Sequence, residues 1–379
     1  MLLPPTFQLV VPILLALALS ACGSDTGPDP GLPAEAGSAT PGHASPSVPA
    51  SIGETVAGQG LSLVTDIGSA LPQPVDDLLI GVSQLLPTGL QRGIIRLLGN
   101  NLQLVAGTAA FDATFEHHGL PRRFVVIRPE PIATGRAPVL LMFHGNGGTA
   151  ENQANLAEVS QLVAEAGVWA VMPAALAGTW DDDPASPKDY DDVGFVGRVI
   201  DALGSSFPVD LSRVYAAGLS NGSFMSSRLA CELSGRIAGF GIVAGTITGG
   251  LAAACTPLHP RRLMLVDGTN DPIVPYHGGR IGLRSAPQAY AFWLSIHGCD
   301  AQATVRSNLP DLVADGTTIE LQSNRRCASN EELRLYTVRG GGHAWPGGWQ
   351  YLPAPVIGTT SKDMNATREI WAFVRDARR

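Results

Sequence analysis

Lysine is nearly absent from this chain of 379 residues, in which Lys188 and Lys362 are the only two. Charged residues make up 15% of the sequence, and the formal net charge at pH 7 is −8. Because no stripe of basic residues runs along the chain, the composition argues against nucleic acid or an anionic surface as a partner. The hydrophobic fraction of 45% is large enough to build a sizeable core without a metal or a cofactor.

Nucleotide-binding and zinc-binding patterns are also missing. The sequence contains neither G-x-x-x-x-G-K nor G-x-G-x-x-G, and no C-x-x-C or Cys/His cluster suggests zinc. Besides Cys22 there are four cysteines, which allow three pairings in an oxidising compartment. The sequential pairing is favoured because each bridge closes a modest loop, with four buried free thiols as the alternative. The four residues are Cys231, Cys255, Cys299 and Cys327.

The first 22 residues are predicted to be an export signal. An apolar segment from Val10 to Leu19 is too short to span a bilayer comfortably, and it leads into Leu19-Ser20-Ala21-Cys22. That ending resembles a bacterial lipobox, in which Cys22 becomes the lipidated first residue, although no Lys or Arg precedes the apolar segment. Cleavage without lipidation is the alternative. Either outcome places the mature chain outside the cytoplasm, and the only membrane contact expected is the lipid anchor.

Three further regions follow the signal. Residues 23–50 are rich in Gly, Pro, Ala and Ser and are predicted to be a flexible tether. Residues 51–110 carry apolar residues at helical spacing, which predicts two amphipathic helices broken by Pro87. These helices are expected to pack on the outside of the main domain, and a lid or a contact with membrane or polymer is the alternative. Residues 111–379 form the predicted catalytic domain.

Apolar strands alternate with helical segments throughout residues 111–379. This alternation predicts an α/β fold with a doubly wound, mostly parallel sheet, in which sites form at the carboxyl ends of strands. The predicted strands are Phe124–Ile127, Val139–Phe143, Val168–Met172, Arg213–Ala217, Ile237–Val243, Arg262–Val266 and Leu333–Val338. The predicted helices are Leu156–Glu165, Val193–Leu203, Ser223–Ala230, Ala286–Ile296 and Met364–Ala377.

Gly218-Leu219-Ser220-Asn221-Gly222 lies between a predicted strand and a predicted helix. A G-x-S-x-G sequence in that context is typical of the nucleophile elbow of α/β-hydrolases, which presents the serine hydroxyl at the tip of the sheet. Ser220 is therefore the candidate nucleophile. An ordinary turn with a helix-capping serine is the alternative.

A serine nucleophile needs a base and an orienting carboxylate, and in this class they follow the serine in the order Asp or Glu, then His. Asp271 follows a strand and a tight turn, and it is favoured over Asp267, which is expected to brace the turn. His343 lies in a glycine-rich loop just past the last strand, and it is favoured over His277 and His297. We expect Asp271 to hold the ring of His343 and His343 to act as the base.

An acyl-transfer site also needs hydrogen-bond donors for the developing oxyanion. The loop Phe143-His144-Gly145-Asn146-Gly147-Gly148 ends the central strand, and we expect the backbone N–H of Asn146 to act together with that of Asn221. His144 is expected to be structural.

Two further groups of residues near the predicted site each have a functional and a structural interpretation. Trp180 and Trp345 are candidate walls of the substrate pocket, with core packing as the alternative. Capping and solvation explain the acidic residues at 181–183, 189, 191 and 192, and a calcium site there is the less favoured alternative.

The motifs together resemble the polyhydroxybutyrate depolymerase / feruloyl esterase family of secreted α/β-hydrolases. The resemblance covers residues 111–379 and rests on the elbow, on Asn270–Tyr276, on Trp293–Cys299 and on Gly342-His343-Ala344-Trp345-Pro346-Gly347-Gly348. It implies a triad of Ser220, Asp271 and His343, disulfide-bonded cysteines, no metal and no cofactor. Two departures are Asp267, where a His is usual, and Ser223-Phe224 after the elbow.

The sequence and the resemblance lead to one hypothesis about function. The chain is expected to be an exported serine esterase that acts on short polyester, feruloyl or acetyl-type esters. A serine peptidase of the prolyl-oligopeptidase type is the second hypothesis, and a non-catalytic surface-binding lipoprotein is the third.

Overall fold

A computed structural model describes the backbone of residues 62–64 and all of residues 102–279 and 282–379. The predicted signal with Cys22, the tether and the helices on either side of Pro87 lie outside the described residues. A short strand at Ser62–Val64 falls within the segment that was expected to be helical. The domain boundary predicted at residue 111 falls inside the strand Thr108–His117.

One sheet organises the described part of the chain, and it contains eleven strands in the order β1-β2-β3-β5-β4-β6-β7-β8-β11-β10-β9. The strands from β5 to β11 in this order run parallel to one another, and the strands at both ends of the sheet pair antiparallel. The strands are β1 (Ser62–Val64), β2 (Thr108–His117), β3 (Leu120–Pro129), β4 (Ala137–Phe143), β5 (Trp169–Pro173), β6 (Val209–Leu219), β7 (Gly239–Val243), β8 (Arg262–Gly268), β9 (Val305–Asn308), β10 (Thr318–Asn324) and β11 (Leu333–Arg339).

Helices cover both faces of the sheet, which is why the central strands are apolar without interruption. One apolar cluster includes Phe195, Met225 and Trp293, and the cluster on the opposite face includes Leu162 and Phe373. The helices are α1 (Ala150–Leu156), α2 (Val159–Ala166), α3 (Asp192–Ser206), α4 (Asn221–Glu232), α5 (Gly249–Ala254), α6 (Ala286–Ile296), α7 (Ala354–Ile357) and α8 (Ala366–Val374).

This architecture confirms the predicted α/β-hydrolase fold with a doubly wound, mostly parallel sheet. Each predicted strand has a counterpart in the sheet, and α6 has the predicted bounds. The helix predicted over Leu156–Glu165 begins in the last residue of α1 and otherwise corresponds to α2. The two helices are separate because Glu158 adopts a left-handed backbone conformation with φ of 51°. The sequence analysis missed β2 and the hairpin of β9 and β10.

The four cysteines of the catalytic domain form two disulfides. Cys231 bonds to Cys255 and Cys299 bonds to Cys327, which is the sequential pairing that the loop lengths favour. The first bridge ties the end of α4 to the residue after α5, and the second ties the segment after α6 to the segment after β10.

Among the residues that the structure describes, no helix has the length and apolar character needed to cross a bilayer.

We predict that the double substitution Cys231→Ala/Cys255→Ala lowers the free energy of unfolding by about 3 kcal/mol, because the bridge closes a loop of 24 residues in the unfolded chain. Urea denaturation followed by circular dichroism measures the change. Cys22→Ala, which removes a cysteine outside both bridges, is the control. A denaturation midpoint equal to that of the wild type would contradict the prediction.

Candidate active site

Ser220 lies at a sharp turn between β6 and α4. Its backbone has φ of 55° and ψ of −121°, a combination that L-residues rarely adopt. A Cβ atom at Gly218 would lie 2.2 Å from the carbonyl oxygen of Gly222, and a Cβ atom at Gly222 would lie 2.2 Å from that of Phe143. Only glycine fits at either position, so the two glycines allow the turn that presents Ser220 at the edge of the sheet.

Backbone hydrogen bonds join the carboxyl ends of β6, β7, β8 and β11. The Ser220 N–H donates to the carbonyl of Val243 over 3.0 Å, at the end of β7. Beyond β8, the N–H of Thr269 donates to the carbonyl of Val338 over 2.9 Å, and the N–H of Asn270 donates to that of Gly341 over 2.8 Å. The serine, the turn that carries Asp271 and the loop that carries His343 therefore project from one connected edge.

Asp271 and His343 form a buried hydrogen-bonded pair. The Nδ1 atom of His343 lies 2.7 Å from Oδ2 of Asp271, with side-chain exposures of 0% and 2%. The other carboxylate oxygen of Asp271 accepts hydrogen bonds from the N–H groups of Ile273 and Val274, over 2.7 and 2.8 Å. Because Nδ1 donates to the carboxylate, Nε2 carries the lone pair of a neutral ring. That Nε2 atom is buried and has no hydrogen-bond partner among the described residues.

The backbone of His343 is held at both polar groups. Its N–H donates to the carbonyl of Ile357 over 2.6 Å, and its carbonyl accepts from the hydroxyl of Tyr351 over 2.8 Å. Burial and the charge of Asp271 raise the pKa of Tyr351, so its hydroxyl remains a donor. Sequence reasoning missed Tyr351 because it lies in an irregular loop, where only the folded structure reveals its burial.

Asn146 and Asn221, the predicted oxyanion donors, lie after neighbouring strands β4 and β6. Within residues 102–279 and 282–379, neither backbone N–H has a hydrogen-bond acceptor. A neighbouring residue holds the loop of Asn146 in place, since the N–H of Gly147 donates to the carbonyl of Gly178 over 2.7 Å. The side-chain oxygen of Asn221 accepts from the N–H of Trp180 over 2.7 Å, which fixes the first residue of α4.

His144 is structural, as the sequence analysis expected. Its Nδ1 donates to the carbonyl of Gly145 over 2.8 Å, and its Nε2 accepts from the N–H of Ala175 over 3.1 Å. Burial lowers the pKa of His144 to about 4, so the ring is neutral near pH 7. Both ring nitrogens are engaged, which leaves none available for chemistry.

The structure does not support Trp180 and Trp345 as pocket walls. Their exposed fractions are 0% and 1%, and each indole N–H is hydrogen-bonded within the protein. Trp180 donates to the carbonyl of His144, and Trp345 donates to the hydroxyl of Thr367, each over 2.9 Å. Both rings are core residues that support the loops of the site, and neither presents a surface to a substrate.

Three of the six acidic residues that had suggested a calcium site are paired with Arg or Lys. Asp192 pairs with the buried Arg122, Asp181 pairs with Arg228, and Asp182 pairs with Lys188. These ion pairs engage three of the carboxylates within the protein. Asp191 differs, because it caps α3 and contacts a histidine.

Asp267 is a second buried carboxyl group close to the catalytic pair. One oxygen accepts from the N–H of Gly245 over 3.0 Å, and the other has no hydrogen-bond partner among the described residues. Burial and the negative charge of Asp271 raise the pKa of Asp267 well above its ordinary value. Both effects favour the protonated form of Asp267. It was expected to brace its own turn, but the structure places it against the loop after β7.

The raised pKa of Asp267 makes a prediction about stability. As pH rises, the unfolded chain releases this proton near the ordinary Asp pKa while the folded chain keeps it, so folding loses stability from this group. Asp267→Asn removes that equilibrium. We expect its free energy of unfolding, relative to the wild type, to increase as the pH rises above the ordinary Asp pKa of about 4.

Urea denaturation at several pH values measures this difference. Asp311→Asn, a substitution of an exposed aspartate, is the control and should show no such trend. A difference between Asp267→Asn and the wild type that stays constant with pH would show that Asp267 is ionised in the folded chain.

Comparison with curated proteins finds esterases. A protein named as an esterase, NocK, of Nocardia uniformis subsp. tsuyamanensis is 28% identical over 247 residues, which cover 60% of this chain and 71% of the relative. Feruloyl esterase B of Piromyces equi is 29% identical over 225 residues, which cover 55% of this chain and 40% of the relative. The chain thus spans less than half the length of the second relative. No family model matches the sequence.

Solved structures with similar folds include further esterases and hydrolases. Acetyl xylan esterase from Aspergillus awamori has a TM-score of 0.44 and 14% identity, over 59% of this chain and 89% of that one. An S-formylglutathione hydrolase from Agrobacterium tumefaciens has a TM-score of 0.44 and 13% identity, over 64% of this chain and 91% of that one. The sequence relatives confirm the resemblance to esterases, feruloyl esterases among them.

Proposed function

We propose that this chain, a carboxylic ester hydrolase similar in sequence to feruloyl esterases, cleaves its substrate through an acyl-enzyme on Ser220. The observation that carries the proposal is the buried pair of Asp271 and His343, whose Nε2 atom has no partner among the described residues. A neutral imidazole held in this tautomer can accept the proton of a serine hydroxyl. Ser220 projects from the same edge of the sheet and is the nucleophile available to it.

Acylation of Ser220 is the first half of the reaction. The hydroxyl oxygen of Ser220 forms a bond to the ester carbonyl carbon, and its proton passes to Nε2 of His343. The charge on His343 is then balanced by Asp271. When the intermediate collapses, the bond from the carbonyl carbon to the alcohol oxygen breaks, and His343 gives its proton to the leaving alcohol.

Water completes the reaction in the second half. His343 takes a proton from a water molecule, whose oxygen attacks the acyl carbon bound to Ser220. The bond to the serine oxygen breaks, the proton returns to Ser220, and the carboxylic acid leaves. Contacts between a serine and its base are often long in unliganded enzymes and shorten when substrate binds.

The N–H groups of Asn146 and Asn221 stabilise the oxyanion in both halves. Their lack of an acceptor within the described ranges supports this role, because a donor that is already engaged could not bind the oxyanion. Loss of one such donor typically slows an acyl-transfer enzyme by roughly 100- to 1000-fold.

We further propose export and three classes of ester substrate. The two disulfides support a location outside the cytoplasm, where the predicted lipidation of Cys22 would anchor the chain to a membrane. The sequence relatives named as feruloyl esterases support hydroxycinnamoyl esters as one substrate class. Acetyl esters and short polyesters are the other proposed classes.

We predict that Ser220→Ala reduces kcat for ester hydrolysis by about four to six orders of magnitude, because the acyl-enzyme can no longer form. A fluorophosphonate probe followed by mass spectrometry should label the wild type at Ser220 and leave the variant unlabelled. Ser205→Ala, at an exposed position on α3, is the matched control and should retain activity and labelling. Full esterase activity in a folded Ser220→Ala variant would overturn the assignment.

A panel of substrates tests the proposed specificity. We expect hydrolysis of p-nitrophenyl acetate, methyl ferulate and amorphous polyhydroxybutyrate to exceed that of p-nitrophenyl octanoate, and a matched p-nitroanilide amide to react most slowly. Each reaction is repeated after fluorophosphonate treatment. Faster turnover of the amide would favour the peptidase, whereas neither labelling nor hydrolysis in a folded sample would favour the surface-binding protein.

A further inference from the structure

The turn between β2 and β3 brings two adjacent histidines together. His118 and Gly119 form this two-residue turn with φ of 52° and 75°, and such left-handed positions usually carry Asn, Asp or Gly. The conformation of His118 places its ring centroid 4.3 Å from that of His117, the last residue of β2. The hairpin therefore presents two imidazoles at one point.

Asp191 joins the two histidines from α3. It caps the helix through one carboxylate oxygen, which accepts from the N–H of Gly194 over 2.7 Å, while the other oxygen lies 3.2 Å from Nε2 of His117.

The three side chains lie close together. One ligand atom from each residue can be chosen so that all three lie within 4.8 Å of one another. Two ligands at 2.0–2.1 Å from a tetrahedral zinc ion stand about 3.3 Å apart, close to the separation between His117 and Asp191. Two imidazoles and a carboxylate form a donor set that zinc accepts.

His117 also differs from the buried histidines that have a purely structural role. In His144 and His297 both ring nitrogens are hydrogen-bonded. In His117, which is 4% exposed, Nδ1 is buried and has no partner in the part of the chain that the structure describes. The other buried histidine with such a nitrogen within these ranges is His343 of the candidate triad.

Space and charge next to the three ligands suit a hydrated cation. A cavity of about 360 Å³ adjoins His117, His118 and Asp191. The three cations that line it, Arg122, Lys188 and Arg228, are each paired with a carboxylate other than Asp191. The charge of Asp191 is thus left to face the two imidazoles.

We propose that His117, His118 and Asp191 bind one zinc ion, with water from the adjoining cavity completing the coordination. This site shares no residue with the Ser220 centre. A bound ion would fasten the β2–β3 hairpin to the start of α3, so its expected effect is on stability.

Zinc titration of the full chain tests the proposal. The protein is prepared without a polyhistidine tag, treated with EDTA, dialysed and titrated with zinc chloride by calorimetry at pH 7.5. We expect one equivalent to bind, with a rise in the melting temperature on saturation. Asp191→Asn keeps the helix cap and His118→Asn keeps the left-handed turn, yet each removes a ligand, so each should weaken zinc binding at least tenfold.

His259→Asn, at an exposed histidine elsewhere, is the matched control and should bind as the wild type does. The proposal is overturned if no saturable equivalent of zinc binds, or if binding is unchanged in both ligand variants. Loss of binding in His343→Asn with retention in His118→Asn would place the ion at the triad and would equally overturn it.

Discussion

The close approach of three backbone segments around Ser220 is the constraint on which the rest of the site depends. Gly218 on β6, Gly222 on α4 and the carbonyl of Phe143 on β4 lie so near one another that no side chain fits between them. This packing holds Ser220 at a positive φ, a strained conformation that an isolated segment would leave. Because the same contacts fix β4 beside β6, they also set where the Asn146 loop stands relative to the N–H of Asn221. The proposed nucleophile and the proposed oxyanion donors are thus positioned by one packing arrangement.

Asp267 and Asp271 are two buried carboxyl groups near the imidazole of His343. Their surroundings differ, and the difference disfavours two negative charges at one place. Asp271 is surrounded by donors, namely two backbone N–H groups and the ring of His343, which stabilise its charged form. Asp267 receives one N–H, from Gly245, and faces the charge of Asp271, so the neutral form is favoured. Burial is the largest cause that favours the neutral form of Asp267, and the charge of Asp271 acts in the same direction. Asp271 is thus left as the group that would balance a protonated His343 in the proposed mechanism.

Features that depend on a local sequence pattern could be predicted from the sequence. Features that depend on which side chains are buried in the fold could not. Central strands such as β4 could be predicted because both of their faces are covered, which makes them continuously apolar. The β9–β10 hairpin could not, since β9 is exposed along its length and shows no apolar pattern. Trp180 illustrates the same limit at the site: a large aromatic residue near a catalytic loop suits a pocket wall and a core equally well, and only the folded packing distinguishes them. The break at Glu158 has no Gly or Pro to signal it.

The hydrogen bonds at the ring nitrogens distinguish structural histidines from candidate functional ones. The position of a histidine in the sequence distinguishes them less clearly. A buried ring nitrogen without a hydrogen bond costs about 1–3 kcal/mol, so a fold retains one only where another group completes it or where the cost is offset elsewhere. His144 avoids that cost by bonding both nitrogens within its loop. His343 does not avoid it, and in the proposed mechanism the serine proton completes its Nε2. His117 differs from His343, because its nitrogen without a partner among the described residues is Nδ1, whereas the nitrogen that faces the carboxylate of Asp191 is Nε2. A metal ion held between His117 and Asp191 would bind Nε2, so the free Nδ1 marks His117 as incompletely bonded within the described ranges without being the ligand atom.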